Sequence, residues 1–106
     1  MKTIEAQYNI DNTELETIMR AAHAIIKPKT NISSYKTGTL EGKSKEQIQR
    51  ALGFPPNVDD DPYKVAYSWA FTINGKDCAI WDWKGSWEDD VWSVYDPHRV
   101  LDLIIE

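Results

Sequence analysis

The chain has 106 residues, 42% of them hydrophobic and 27% charged, with a net charge of −5. That suits one small domain with one modest core, and it excludes two domains, a disordered polyelectrolyte and a membrane span, since no apolar run approaches the roughly 18 residues a span needs. A single cysteine, Cys78, excludes an intrachain disulfide and a cysteine-rich zinc fold.

Residues 1–20 lack the apolar core of a signal peptide, so the expectation is a soluble cytoplasmic protein. Residues 2–8 alternate weakly, as an edge strand or a frayed arm would. Asp11 or Asn12 then caps a predicted helix whose apolar stripe is Leu15, Ile18, Met19, Ala22, Ile25 and Ile26. Pro28 ends that helix near Lys27. Residues 28–43 are polar and mildly basic, and read as an exposed loop with a short strand around Ile32 to Tyr35. Ser44 and Gln47 fit a capping box for a short helix carrying Ile48, Ala51 and Leu52. Gly53 is a natural helix terminator, and Pro55-Pro56 forbids continuation.

A hairpin follows. Val65, Tyr67, Trp69, Phe71 and Ile73 alternate with small or polar residues up to Asn74-Gly75, the favoured two-residue turn pair. That turn pairs Ile73 with Lys76, Phe71 with Cys78, Trp69 with Ile80 and Tyr67 with Asp82. One face then meets the core. The other carries Ala66, Ser68, Ala70, Thr72 and Ala79 beside Trp81 and Trp83, a shallow aromatic floor that marks a binding site if nothing covers it. Lys84-Gly85-Ser86 turns the chain again, and Val91 to Tyr95 forms a third strand with Trp92 and Val94 on one side. Asp96-Pro97 reads as the start of a last helix that places Val100, Leu101 and Ile104 on the sheet. The predicted fold is a single α+β domain over 1–106, two-layered, with an antiparallel sheet of three or four strands packed against two or three helices.

The charge is unevenly distributed. Residues 1–52 hold six acids and eight bases, whereas residues 53–106 hold eleven acids and four bases. Asp59, Asp60 and Asp61 form one acidic run, and Glu88, Asp89 and Asp90 another. Such a surface repels phosphate backbones and suits a basic groove on another protein. Acids also simply solvate a small domain. All five tryptophans fall between Trp69 and Trp92. A core of this size houses two or three, which leaves others to cover the surface or anchor a partner.

Chemistry has little to work with. Cys78 points to the core side opposite Phe71, where a thiol is a small hydrophobe. His23 and His98 stand apart from any close-spaced ligand set, so no metal and no cofactor is expected. Asp82 lies opposite Tyr67 at the sheet's rim, suited to a hydrogen bond there or an ion pair with Lys64. No phosphate loop, dinucleotide fingerprint or nucleophile elbow occurs, and no catalytic residue is assigned. Trp81 and Trp83 resemble a base-stacking platform, but Asp77, Asp82 and the 88–90 acids argue against direct nucleic-acid binding. Lysines of the 27–43 segment supply the missing cations only if they fold over the same face.

Leu52-Gly53, Tyr63-Lys64-Val65, Trp69-Ala70-Phe71, Gly75, Ala79-Ile80-Trp81-Asp82-Trp83-Lys84 and Trp92-Ser93-Val94 together resemble small accessory proteins encoded by bacteriophages. The resemblance spans 48–94. It implies a non-enzymatic protein that works in the host cytoplasm, binds a host protein and blocks it, as inhibitors of restriction or CRISPR complexes do. The expected contact residues are Asp59, Asp60, Asp61, Glu88, Asp89 and Asp90 for the partner's basic side chains, with Trp81, Trp83 or Trp87 as anchor. The alternatives are a self-associating accessory protein with an aromatic dimer face, and a binder of a small ligand or single-stranded nucleic acid.

Overall fold

The computed structural model describes residues 24–30, 32–59 and 63–105. The expected N-terminal strand or arm at 2–8, and the helix beginning at Asp11 or Asn12, lie outside the described residues through residue 23.

Five strands form one antiparallel sheet: β1 (Ile26–Pro28), β2 (Gly38–Glu41), β3 (Ser68–Ile73), β4 (Lys76–Trp81) and β5 (Val91–Tyr95), in the order β1-β3-β4-β5-β2. One α-helix, α1 (Lys45–Leu52), and short 3-10 turns at Ser86–Asp89 and Leu101–Leu103 complete the described elements. Among the described residues the fold is α+β but mostly sheet, with five strands where three or four were predicted.

The β3–β4 hairpin has the register that Asn74-Gly75 dictates: Ile73 opposite Lys76, Phe71 opposite Cys78 and Trp69 opposite Ile80. Asn74 and Gly75 both take positive φ, 52° and 81°, as a turn matched to strand twist requires. β5 pairs with β4, placing Ser93 beside Trp81. The buried face carries Trp69, Phe71, Ile73, Cys78, Ile80, Trp92 and Val94. On it sit Ile48 and Leu52 of α1 and Leu101 and Ile105 of the C-terminal segment. The capping box forms as expected: the Gln47 amide N–H donates to Ser44 Oγ, and the Ser44 N–H to Gln47 Oε1. Gly53 ends the helix at φ 91°.

Three local expectations give way. The first helix is expected to run through Ile26 and end near Lys27 at Pro28, but Ile26 to Pro28 are instead β1, paired with Ile73 to Phe71. An edge strand suits them, because Lys29 turns its N–H inward to the Ala70 carbonyl, while Pro28 sits at the alternate position, where no donor is needed. Ile25, counted on the apolar stripe, is exposed. The last helix is only a 3-10 turn. Arg99 takes φ 54°, which breaks a helical path, and the Asp96 carboxylate caps Val100 and Leu101 rather than the residues immediately after it.

The third concerns residues 28–43. The expected short strand at Ile32 to Tyr35 is absent, and the strand in this region is β2. β1 and β2 lie at opposite edges, so residues 29–37 must cross the sheet. The span is about 19 Å for four interstrand steps, within the roughly 30 Å reach of nine extended residues. The strap runs over the face opposite the core, with Thr30, Ile32 and Ser34 above Ala70, Ala79 and Trp81 and a hollow of about 290 Å³ between. Thr37 fixes its far end, where its N–H donates to the Val94 carbonyl at 2.8 Å and its hydroxyl accepts from the Asp96 N–H.

Candidate functional site

The strap changes what the aromatic floor is. Ser68, Ala70 and Ala79, expected to lie open beside the indoles, are all buried. Small residues are there because a second layer of backbone needs the room. Asn57 adds to that layer by behaving like a short strand. Its side-chain oxygen accepts from the Ala70 N–H at 3.0 Å, and its amide donates to the Ala70 carbonyl at 2.9 Å.

What stays accessible is the end of the sheet where Trp81 sits. Trp81 alternates away from Ile80 onto the strap side, flanked by Ser68 on one strand and Ser93 on the other. Two small neighbours leave its ring half-buried. Beyond it the chain leaves the sheet at Asp82 and reverses at Lys84-Gly85, both with positive φ. The Trp83 N–H donates to Ser86 Oγ at 3.0 Å, and that hydroxyl donates onward to the Val91 carbonyl at 2.6 Å. The turn therefore holds Trp83 outward on a fixed base, 48% exposed.

Asp82 organises the surroundings. Its side chain is fully buried, and Oδ1 accepts from the Ala66 and Tyr67 N–H groups, each at 2.8 Å. The expected hydrogen bond between Asp82 and Tyr67 thus goes to the Tyr67 backbone, and Oδ2 has no protein partner. These contacts, with the Lys84 N–H donating to the Lys64 carbonyl, draw residues 64–67 alongside residues 82–84. In consequence Lys64 and Lys84 hold their ammonium groups 5.8 and 5.6 Å from the centre of the Trp83 ring. Lys36, carried by the strap, joins Trp81, Trp83, Ser86, Val91 and Ser93 around a second hollow of about 420 Å³.

The expected contact residues are only partly united. Trp81 and Trp83 share this end of the strap side. Trp87 does not join them: it turns back against Tyr67, edge to face at 5.2 Å, and packs on the margin of the core. Lys45 lies over the Tyr67 ring there, at 4.6 Å. Glu88 and Asp89 are exposed on the 3-10 turn that follows Trp83, and Asp90 ends that turn half-buried with φ 55°. Asp59 is exposed next to Val58, which is bonded to Ser68 at the same end of the sheet. Asp60 and Asp61 lie outside the described residues. The end is therefore of mixed charge, with Lys64 and Lys84 set among the acids. Sequence reading singled out neither lysine as a partner of Trp83. Lys36 is one of the lysines of the 27–43 segment, and its place beside the indoles follows from the strap's path.

Cys78 lies where alternation puts it, fully buried opposite Phe71. Burial first, then the negative charge and hydrogen bonding of Asp96, push its thiol up to about 12. His98 is exposed, and His23 is outside the described residues. Among the described residues no group of three or more His, Cys, Asp or Glu side chains forms a metal-binding set, and no helix is long and apolar enough to cross a membrane. Comparison with protein-family models, curated proteins and solved structures gave no match.

Proposed function

We propose that this chain is a non-enzymatic binding protein whose contact surface is the Trp83 end of the sheet, and whose partner is a protein with a basic surface. The observation that carries the proposal is Trp83 itself: a large aromatic side chain, nearly half exposed, on a turn too well tied to collapse inward. Exposed aromatics on rigid supports act as anchors that a partner desolvates. The acids Glu88 and Asp89 stand exposed on the adjoining turn and suit a rim that selects lysine and arginine. The one thiol is held protonated in the core, which favours binding over nucleophilic chemistry. The resemblance to small bacteriophage proteins supports a host defence or nucleic-acid-handling complex as the partner class, which the chain would inhibit.

The test is capture of a partner from bacterial lysate by the immobilised chain, at low and high salt, with two variants alongside. Trp83→Ala is expected to lose capture, and the double reversal Glu88→Lys with Asp89→Lys to weaken it most at low salt. Capture that survives both changes would overturn the proposal.

A further inference from the structure

The hollow beside Lys36 has a chemistry of its own. Its six lining residues are Lys36, Trp81, Trp83, Ser86, Val91 and Ser93: two indoles, one cation, two hydroxyl-bearing residues and no carboxylate. At about 420 Å³ it falls within the range of small-molecule sites, which begins near 300 Å³. Indole faces accept a planar ring by stacking. An ammonium accepts an anion, and two further ammonium groups, from Lys64 and Lys84, stand within 6 Å of the Trp83 ring.

We propose that this hollow binds a nucleoside monophosphate, with the base stacked on an indole and the phosphate met by Lys36. Each side of the ligand answers a different part of the lining. A planar apolar molecule leaves the cation unused, and inorganic phosphate leaves the indoles unused. The whole chain argues for a single nucleotide over a nucleic-acid strand. Its net charge is −5, so each added phosphate is repelled by the acids around the site, while one phosphate is served by the lysine that lines it. The inference shares Trp83 with the protein-partner reading but does not rest on it: Lys36 lines the hollow and plays no part in that reading, whereas Glu88 and Asp89 are absent from the lining.

The experiment titrates the full chain with AMP and dTMP, following tryptophan fluorescence and the indole N–H resonances by NMR. Saturable quenching with shifts confined to two indole signals is expected. Trp83→Ala and Lys36→Glu should each weaken binding about tenfold or more, with circular dichroism verifying that they fold. Lys36→Arg, which keeps the cation, should restore affinity to within about threefold. Glu88→Gln with Asp89→Asn should leave nucleotide affinity unchanged or slightly raised. Absence of saturation at millimolar nucleotide, or equal affinity in Lys36→Glu, would overturn the site. Much tighter binding of a short oligothymidylate than of dTMP through the same residues would overturn its assignment to a single nucleotide.

Discussion

Trp69 and Trp92 meet edge to face with ring centres 5.5 Å apart, and their N–H groups hold opposite ends of α1. Trp92 Nε1 donates to the Lys43 carbonyl just before the helix, and Trp69 Nε1 to the Phe54 carbonyl just after it. Both rings are fully buried. Trp92→Phe removes one such bond and leaves space where the larger ring was, so unfolding in urea should show a loss of roughly 2–4 kcal/mol. Trp83→Phe, on the surface, should cost under about 1 kcal/mol in the same measurement.

Asp82 separates two roles that a carboxylate can play. Asp82→Ala strips the Ala66 and Tyr67 N–H groups of their acceptor in a buried place and should destabilise by roughly 2–4 kcal/mol. Asp82→Asn keeps an oxygen at Oδ1 and changes mainly the position of Oδ2, which has no protein partner. Its cost should be clearly smaller, and denaturant midpoints of the two variants measure the difference.

Cys78 gives stability a pH dependence of known sign. Its thiol ionises near 9 when unfolded and only near 12 when folded. A raised value favours the fold fully below about 9 and progressively less as the pH climbs toward 12. The wild type should therefore lose more stability than Cys78→Ala between those limits, as measured by denaturation at successive pH values. At pH 8 the native thiol should not react with an aromatic disulfide reagent until denaturant is added.

Asn57 supplies both a donor and an acceptor to Ala70. Asn57→Ala leaves the Ala70 N–H without its acceptor under the start of the strap, at a cost of roughly 1–3 kcal/mol. Amide hydrogen exchange should then accelerate at Ala70 and Lys29, both joined to that site, before it does at Ile80 in the middle of the sheet.

These residues also show where sequence reading succeeds. Asn74-Gly75 restricts the hairpin to one turn type, and that fixes the register of β3 and β4, with Trp81 away from the core. Ser44 and Gln47 mark the start of α1 through bonds only three residues apart. Local chemistry decides both. β1 and β2 have three and four residues, too few to show a period, and their partners lie about 45 to 55 positions further along the chain. Periodicity placed Ile26 on a helical stripe because it sees only neighbours, whereas the unpaired edge of β3 decides its state. The site divides in the same way. Trp81 and Trp83 follow from the hairpin and its exit. The separation of Trp87 depends on the Lys84-Gly85 reversal and its contact with Tyr67. Lys64 reaches Trp83 because Asp82 and the Lys84 N–H together gather a distant segment.

The strand order also bears on when the fold can assemble during synthesis. β3, β4 and β5 are consecutive in the chain and adjacent in space, whereas β1 and β2 are made earlier and flank them. Both outer strands leave the ribosome with nothing to pair against until residues 68–95 have followed. Nucleation is thereby postponed until β3, β4 and β5 have been made, and the strap closes over a centre that has formed without it.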